Sequence, residues 1–234
     1  AMDGGRDAPA ELADIGADFE AGLAIQQLIN RQRLDRGDTP VGFKIGFTNR
    51  SIWPIYGVHA PIWAPVWQRT AHEAPDATFD ASALVSRLNR PRLEPEIVLG
   101  LRAAPPGFDP IRGAPGADTL AGLEDAIDWV AHGYELVQSP WPDWKFGAGQ
   151  AMASQSLHGA LVIGPRRRVR QPRGLAAALS TLTISLHRDD GAEPVARGRG
   201  SDVLDGPIQA LGHWLYEARR RPASVEPAAG MLVT

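Results

Sequence analysis

The stretch 92-RLEPEIVLGL-101 places two glutamates, Glu94 and Glu96, one residue apart at the head of an apolar run. In a strand, positions i and i+2 point to the same side, about 6.5–7 Å apart along the chain. Ile97, Val98, Leu99 and Leu101 behind them read as a strand entering a core. Two same-side carboxylates at a core entrance repel each other unless a cation or a proton lies between them. A further acid, Glu135 of 133-GYELVQS-139, also falls in a predicted strand. Ligands that are all oxygen point to a hard cation, and Mg²⁺ accepts a few carboxylates while keeping waters that a chelating substrate can replace. The same spacing also suits the solvent face of an edge strand, its glutamates paired with arginines such as Arg92. Spacing leaves both readings open.

A lysine stands in a comparable setting. The segment 41-VGFKIGFT-48 alternates strictly, so Lys44 shares its face with Gly42, Gly46 and Thr48 while Val41, Phe43, Ile45 and Phe47 face the other way. A lysine in a depression among small neighbours can have a lowered pKa and shuttle protons; a solvated strand lysine is the alternative. Other chemistry is excluded. The chain has no cysteine, which removes disulfides, thiolate zinc sites and cysteine nucleophiles. There is no GxSxG, HExxH, GxxxxGK[ST] or GxGxxG signature. The 6 histidines are scattered without ligand spacing; His158 in 156-SLHGAL-161 suits a structural or surface role better than a pocket.

The elements that must position these residues follow from periodicity. Residues 17–35 carry Phe19, Leu23, Ile25, Leu28 and Ile29 at helical spacing, with Asp18 as N-cap and Gly37 as terminator. The Pro- and Trp-rich 51–67 reads as a long aromatic loop, and 104–118 as an exposed Gly/Pro-rich insert. A helix is expected over 119–131, capped by Asp118 or Thr119. Strands are expected over 133–139, 160–164 and 181–188, and a Pro/Trp turn over 140–147. Residues 206–221 form an amphipathic helix with Pro207 in its first turn. Strands in the middle, helices at the ends and no regular βαβ alternation favour an α+β fold with a mixed or rolled sheet. The division expected is an N-terminal helical segment, 1–40, before a β-rich catalytic domain, 41–234.

The chain of 234 residues, 44% hydrophobic and 22% charged, can bury a sizeable core. A net charge of −3 gives no basic field for nucleic acid or an anionic membrane. The basic run 166-RRRVR-170 follows a Gly-Pro pair and reads as a solvated loop. No segment approaches the roughly 18–20 apolar residues of a membrane span, and the absence of cysteine is compatible with a cytoplasmic location. The final 229-AGMLVT-234 stops where a strand would begin, so the native chain is expected to continue.

Five segments in order, 42-GFKIGFTN-49, 91-PRLEPEIVLGL-101, 134-YELVQSPWPDWK-145, 159-GALVIG-164 and 198-GRGSDVLDGPIQALGHWL-215, resemble the 2-keto-4-pentenoate hydratase / 4-oxalocrotonate decarboxylase branch of the fumarylacetoacetate hydrolase superfamily. The resemblance implies a β-rich mixed-sheet roll or barrel with peripheral helices, of the fumarylacetoacetate hydrolase C-terminal-domain type, in a homo-oligomer. It implies Mg²⁺ or Mn²⁺ held by Glu94, Glu96 and Glu135, and places Lys44 and Lys145 on the pocket wall as catalytic residues. The substrate implied is a small 2-oxo or 2-hydroxydienoic acid, chelated through its carboxylate and 2-oxygen so that the metal stabilises an enolate. Such a site serves a hydratase, an oxalo-dienoate decarboxylase or an acylpyruvate-type C–C hydrolase; a catalytically impaired binding or partner subunit is a further alternative.

Departures from the branch accompany the likeness. It tends to carry a D-x-x-x-D-N pattern after the DWK turn, where this chain has 150-QAMASQ-155. If those acids position the hydrating water, Gln150, Ser154 and Gln155 put hydration in question. Trp53, Trp63 and Trp67 either narrow the pocket or pack the loop or an oligomer interface.

Overall fold

The structure is a computed structural model and describes residues 6–107, 115–188, 191 and 193–234. Its strands are β1 (Pro40–Gly46), β2 (Ile62–Trp67), β3 (Ala71–Glu73), β4 (Arg92–Leu101), β5 (Ile127–Val137), β6 (His158–Ile163), β7 (Arg167–Arg168), β8 (Thr183–Leu186), β9 (Ala196–Arg199) and β10 (Leu232–Val233). The helices are α1 (Phe19–Asp35), α2 (Trp53–Tyr56), α3 (Ser82–Val85), α4 (Ala117–Asp125), α5 (Ala148–Ala153), α6 (Leu175–Thr181) and α7 (Pro207–Arg219). One sheet runs in the order β2-β1-β10-β4-β5-β6-β3, with β7 on β5, and β8 and β9 form a separate pair. The β1–β10 and β3–β6 contacts are parallel and the others antiparallel, so the α+β, mixed-sheet expectation holds.

Local chemistry explains the frame. The Asp18 carboxylate accepts from the Ala21 amide at 3.0 Å and starts α1, which ends before Gly37 at φ 82°. The helix seats on α5 by close backbone approach: a Cβ on Gly22 would lie 2.1 Å from the Gly149 carbonyl oxygen. Helix α7 begins with Pro207, as expected, and buries Ile208, Leu211, Trp214 and Leu215. Its Trp214 meets Phe43 of β1 with ring centroids 4.8 Å apart. Among the described residues no helix is long and apolar enough to cross a membrane.

Three sequence expectations are corrected. The 51–67 segment is not one long loop: Trp53–Tyr56 forms the short helix α2, and only the residues between it and Ile62 are irregular. Ile62–Trp67 is β2, buried throughout and paired with β1, so Trp63 and Trp67 lie in the core. The helix expected over 119–131 ends at Asp125, and Ile127–Ala131 opens β5 instead, with Ile127 opposite Leu101. Ladder pairing along β4 overrides the local helical period there. The helix starts after Gly116, not after Asp118 or Thr119. The basic run contributes a two-residue strand, β7, with both arginines exposed. Of the Gly/Pro-rich insert, residues 108–114 lie outside the described residues.

Candidate metal centre

The register of β4 and β5 builds the acid cluster. Glu94 lies directly opposite Glu135, and Glu96 opposite Gly133. Directly opposed residues share a sheet face, so all three carboxylates point the same way. One oxygen from each lies within 4.8 Å of the others, grading from exposed Glu94 through half-buried Glu96 to buried Glu135. Strand β4 is internal, between β10 and β5, which removes the edge-strand reading. Arg92 lies over the Trp144 ring, 4.1 Å from its centroid, and makes no ion pair with Glu94 among the described residues.

Lys44 reaches the cluster from β1. It is 4% exposed; its Nζ lies 3.2 Å from Glu135 Oε2 and donates to the Ser156 carbonyl at 2.8 Å. Gly46 keeps room for it, since a Cβ there would lie 3.2 Å from Nζ. Left-handed backbone presents the Ser156 carbonyl: Gln155, Ser156 and Leu157 have φ of 55°, 50° and 66°. Three consecutive non-glycine residues in that region persist only when their surroundings over-determine them. Here Ser156 Oγ donates to the Trp63 carbonyl at 2.6 Å. Fully buried Gln26 of α1 donates to the same carbonyl at 2.8 Å and to that of Met152 at 3.1 Å.

His158, read from sequence as structural or surface, is part of the site. It is 5% exposed, its Nδ1 lies 2.6 Å from Glu135 Oε1, and its Nε2 lies 2.8 Å from Thr70 Oγ1. Beside a carboxylate, Nδ1 carries a proton and donates it. No ligand-type spacing in the sequence marks His158, because its partner arrives across the β5–β6 pairing. Thr234 donates from Oγ1 to Glu96 Oε2 at 3.0 Å, a second support invisible to local pattern.

Electrostatics separates the acids. Burial alone would raise Glu135, but Lys44 and His158 outweigh it and hold the carboxyl below the usual range. Burial lifts Glu96 well above its ordinary value, with Glu135 and Glu94 adding to it. Glu94 is also raised: the residue as a whole is exposed, but its carboxyl group is desolvated by the atoms around it, and Glu135 adds to the shift. The lowered lysine pKa expected from sequence is corrected. Burial pushes Lys44 down, but Glu135, Glu94 and Glu96 together hold it above its ordinary value as an ammonium.

The other predicted or questioned positions lie elsewhere. Lys145 is exposed after a short turn over 142–144, and no contact joins it to the acids among the described residues. Gln150 accepts from the Gly147 amide at 2.8 Å and donates to the Ala13 carbonyl at 3.2 Å, closing the start of α5. Ser154 accepts from the Trp141 indole at 3.0 Å. Trp53 is half-buried and donates its indole proton to the Phe47 carbonyl at 2.7 Å.

Of the cluster, only Glu96 opens onto a neighbouring pocket of about 80 Å³. Ile45, Leu99, Ile184, Val203 and Val233 give it apolar walls, and Thr48, Arg199 and Thr234 add polar groups.

Comparison with known proteins agrees with the architecture. The chain is 29% identical over 185 residues to 2-hydroxyhexa-2,4-dienoate hydratase of Comamonas testosteroni, covering 79% of this chain and 63% of that protein. It is 29% identical over 200 residues to 2-keto-4-pentenoate hydratase of Paraburkholderia xenovorans (85% of this chain, 66% of the relative). A 4-oxalocrotonate decarboxylase from Pseudomonas sp is 27% identical over 213 residues, 88% of this chain and 72% of the relative. The chain thus spans a little under two thirds of each of these two hydratases. The solved 4-oxalocrotonate decarboxylase of Pseudomonas putida G7, complexed with magnesium and adipate, superposes with TM-score 0.76 at 24% identity, over 98% of this chain and 80% of that one. No protein-family model matches the chain. The five ordered segments, the sequence similarity and the shared fold agree: the chain is similar in sequence to 2-keto-4-pentenoate hydratases and a 4-oxalocrotonate decarboxylase, and has the fold of the solved decarboxylase.

Proposed function

We propose that this chain carries the site of a metal-dependent hydro-lyase acting on a small 2-hydroxydienoic or 2-oxo acid, with Mg²⁺ or Mn²⁺ as its ion. The convergence of Glu94, Glu96 and Glu135, with donor atoms within 4.8 Å of one another, carries this reading. The residues fit such an ion. Every donor is oxygen, three carboxylates face one ammonium, and the raised values of Glu94 and Glu96 mark negative charge in want of a cation. When bound, a divalent ion supplies Lewis acidity toward the carboxylate and 2-oxygen of the acid.

The chain's own groups do the rest. His158 fixes the orientation of Glu135 through Oε1, and Thr234 that of Glu96 through Oε2. Lys44 Nζ, charged and anchored on the Ser156 carbonyl, holds a proton at the cluster and can deliver it to a substrate carbon or oxygen. The apolar walls beside Glu96 suit an unsaturated carbon tail and keep water from it.

One observation favours a second reading. Arg199 lines the same pocket, where its guanidinium would pair with a second carboxylate, as the dicarboxylic substrate of an oxalo-dienoate decarboxylase requires. The test supplies 2-hydroxypenta-2,4-dienoate with Mg²⁺ or Mn²⁺ and follows loss of its dienol absorbance, with CO₂ release from an oxalo-dienoate measured in parallel. Turnover of the first supports the hydratase; CO₂ alone supports the decarboxylase. Oxalate binding without turnover of either points to a binding subunit, and neither turnover nor binding removes the proposal. The proposal extends to a cytoplasmic homo-oligomer, tested by cell fractionation and light scattering.

A further inference from the structure

A second polar cavity, of about 330 Å³, lies on the other side of His158 from the acid cluster. His158 forms part of its wall through the side that meets Thr70, while its Nδ1 edge faces Glu135. None of the three clustered acids lines it.

Its lining is rich in unmatched polar atoms. Gln155 is 3% exposed, yet neither its amide nitrogen nor its carbonyl oxygen has a hydrogen-bond partner. Trp67 is 1% exposed, and its indole Nε1 is likewise without one. His72 Nε2, in the same lining, is a further unmatched atom. Buried polar atoms left this way are costly, so several in one cavity ask for a ligand. The left-handed backbone of residues 155–157 fixes Gln155 there.

Charge gives the sign. Arg33, Arg69 and Arg87 line the cavity against a single acid, Asp38. Asp38 engages Arg33 at 3.9 Å and Arg69 at 3.3 Å, whereas Arg87 makes no ion pair among the described residues. Guanidinium groups match oxyanions bidentately, and the Trp67 and Gln155 N–H groups add neutral donors. The Gln155 carbonyl, an acceptor, calls for a donor on the ligand.

We propose that this cavity is a binding site for a small oxyanion that also carries a hydroxyl, namely a hydrogen phosphate or a hydroxycarboxylate. Its oxyanion meets Arg87 and the Trp67 and Gln155 N–H groups, and its hydroxyl donates to Gln155 Oε1. The site is independent of the metal reading, because the acid cluster takes no part in it.

Calorimetry on the metal-free chain, separated from chelator by gel filtration and held at low ionic strength, tests this with inorganic phosphate, malate and succinate. The expected result is saturable one-to-one binding of phosphate or malate, with succinate, which lacks the hydroxyl, weaker by about tenfold or more. Phosphate binding identifies the phosphate class, and malate binding the hydroxycarboxylate class. Arg87→Gln, a surface change, and Gln155→Leu are each expected to weaken binding. Loss in either variant that keeps its native near-ultraviolet circular dichroism supports the site, and Arg87→Gln decides alone if the other fails to fold. The proposal is overturned if neither ligand saturates below about 10 mM, if succinate matches malate, or if Arg87→Gln and a folded Gln155→Leu both bind unchanged.

Discussion

Glu135 meets a different partner on each oxygen: Oε1 the His158 ring at 2.6 Å, Oε2 the Lys44 ammonium at 3.2 Å. Removing Lys44 therefore leaves a buried carboxylate with half its compensation. Lys44→Met should destabilise the metal-free protein by about 3–5 kcal/mol, the usual cost of stripping one partner from a buried pair. Urea denaturation reads this, and added Mn²⁺ should recover part of the loss. The same variant should lower kcat by about 100-fold or more, the contribution of a positioned proton donor. Glu96→Gln should abolish metal-dependent turnover yet keep the native circular dichroism, because Glu96 is only half-buried and glutamine preserves its shape. Unfolding of this variant, or full activity, would count against its role as a ligand. At this scale the sequence was informative where chemistry follows from spacing within one strand. Glu94, Glu96 and Lys44 were legible because i, i+2 alternation gives their faces directly. His158 and Thr234 were not, since their partners lie on other strands.

Elements set the distances between those residues. Strand β10 can lie against β1 only because Gly42 has no side chain: a Cβ there would stand 2.1 Å from the Leu232 carbonyl oxygen and 2.7 Å from its Cγ. Because β10 separates β1 from β4, that contact governs how far Lys44 stands from Glu94 and Glu96. Gly42→Ala should lower stability by about 1–3 kcal/mol through overpacking and weaken metal binding by displacing β10 and with it Thr234. A variant as stable as the parent, with unchanged metal affinity, would show that the β1–β10 contact does not set the site. The helix starts and stops of α1 and α7 were readable from Asp18, Gly37 and Pro207, whose effects are local. Strand β2 and the first half of β5 carry misleading local signals, the one a loop's prolines and tryptophans, the other a helix's apolar spacing. Both are strands because long antiparallel partners, β1 and β4, take up their backbone groups, a pairing that no local window contains.

For the whole molecule, the proposed metal binding is linked to folding through one free energy. An ion that binds only the folded state adds stability as RT ln(1 + [M]/Kd), about 2.7 kcal/mol at one hundred times Kd. The metal-free fold holds Glu94 and Glu96 above their ordinary values, so in that state protons compete for the oxygens a cation needs. For a carboxyl raised on folding, the metal-free folded state binds more protons than the unfolded chain, and lowering the pH favours it. The ion, by contrast, requires both groups ionised. The gap in melting temperature between metal-loaded and metal-free protein should therefore narrow as pH falls from neutral toward the carboxylate range. A gap that is constant with pH would contradict protonation at these two glutamates.

The most direct test of the metal centre is calorimetric titration of Mn²⁺ into the chelator-free protein and into its Glu96→Gln and Glu135→Gln variants. One site is expected in the parent, with binding weakened by about tenfold or more in each folded variant. Absence of binding in the parent, or equal affinity in all three, would contradict the metal centre.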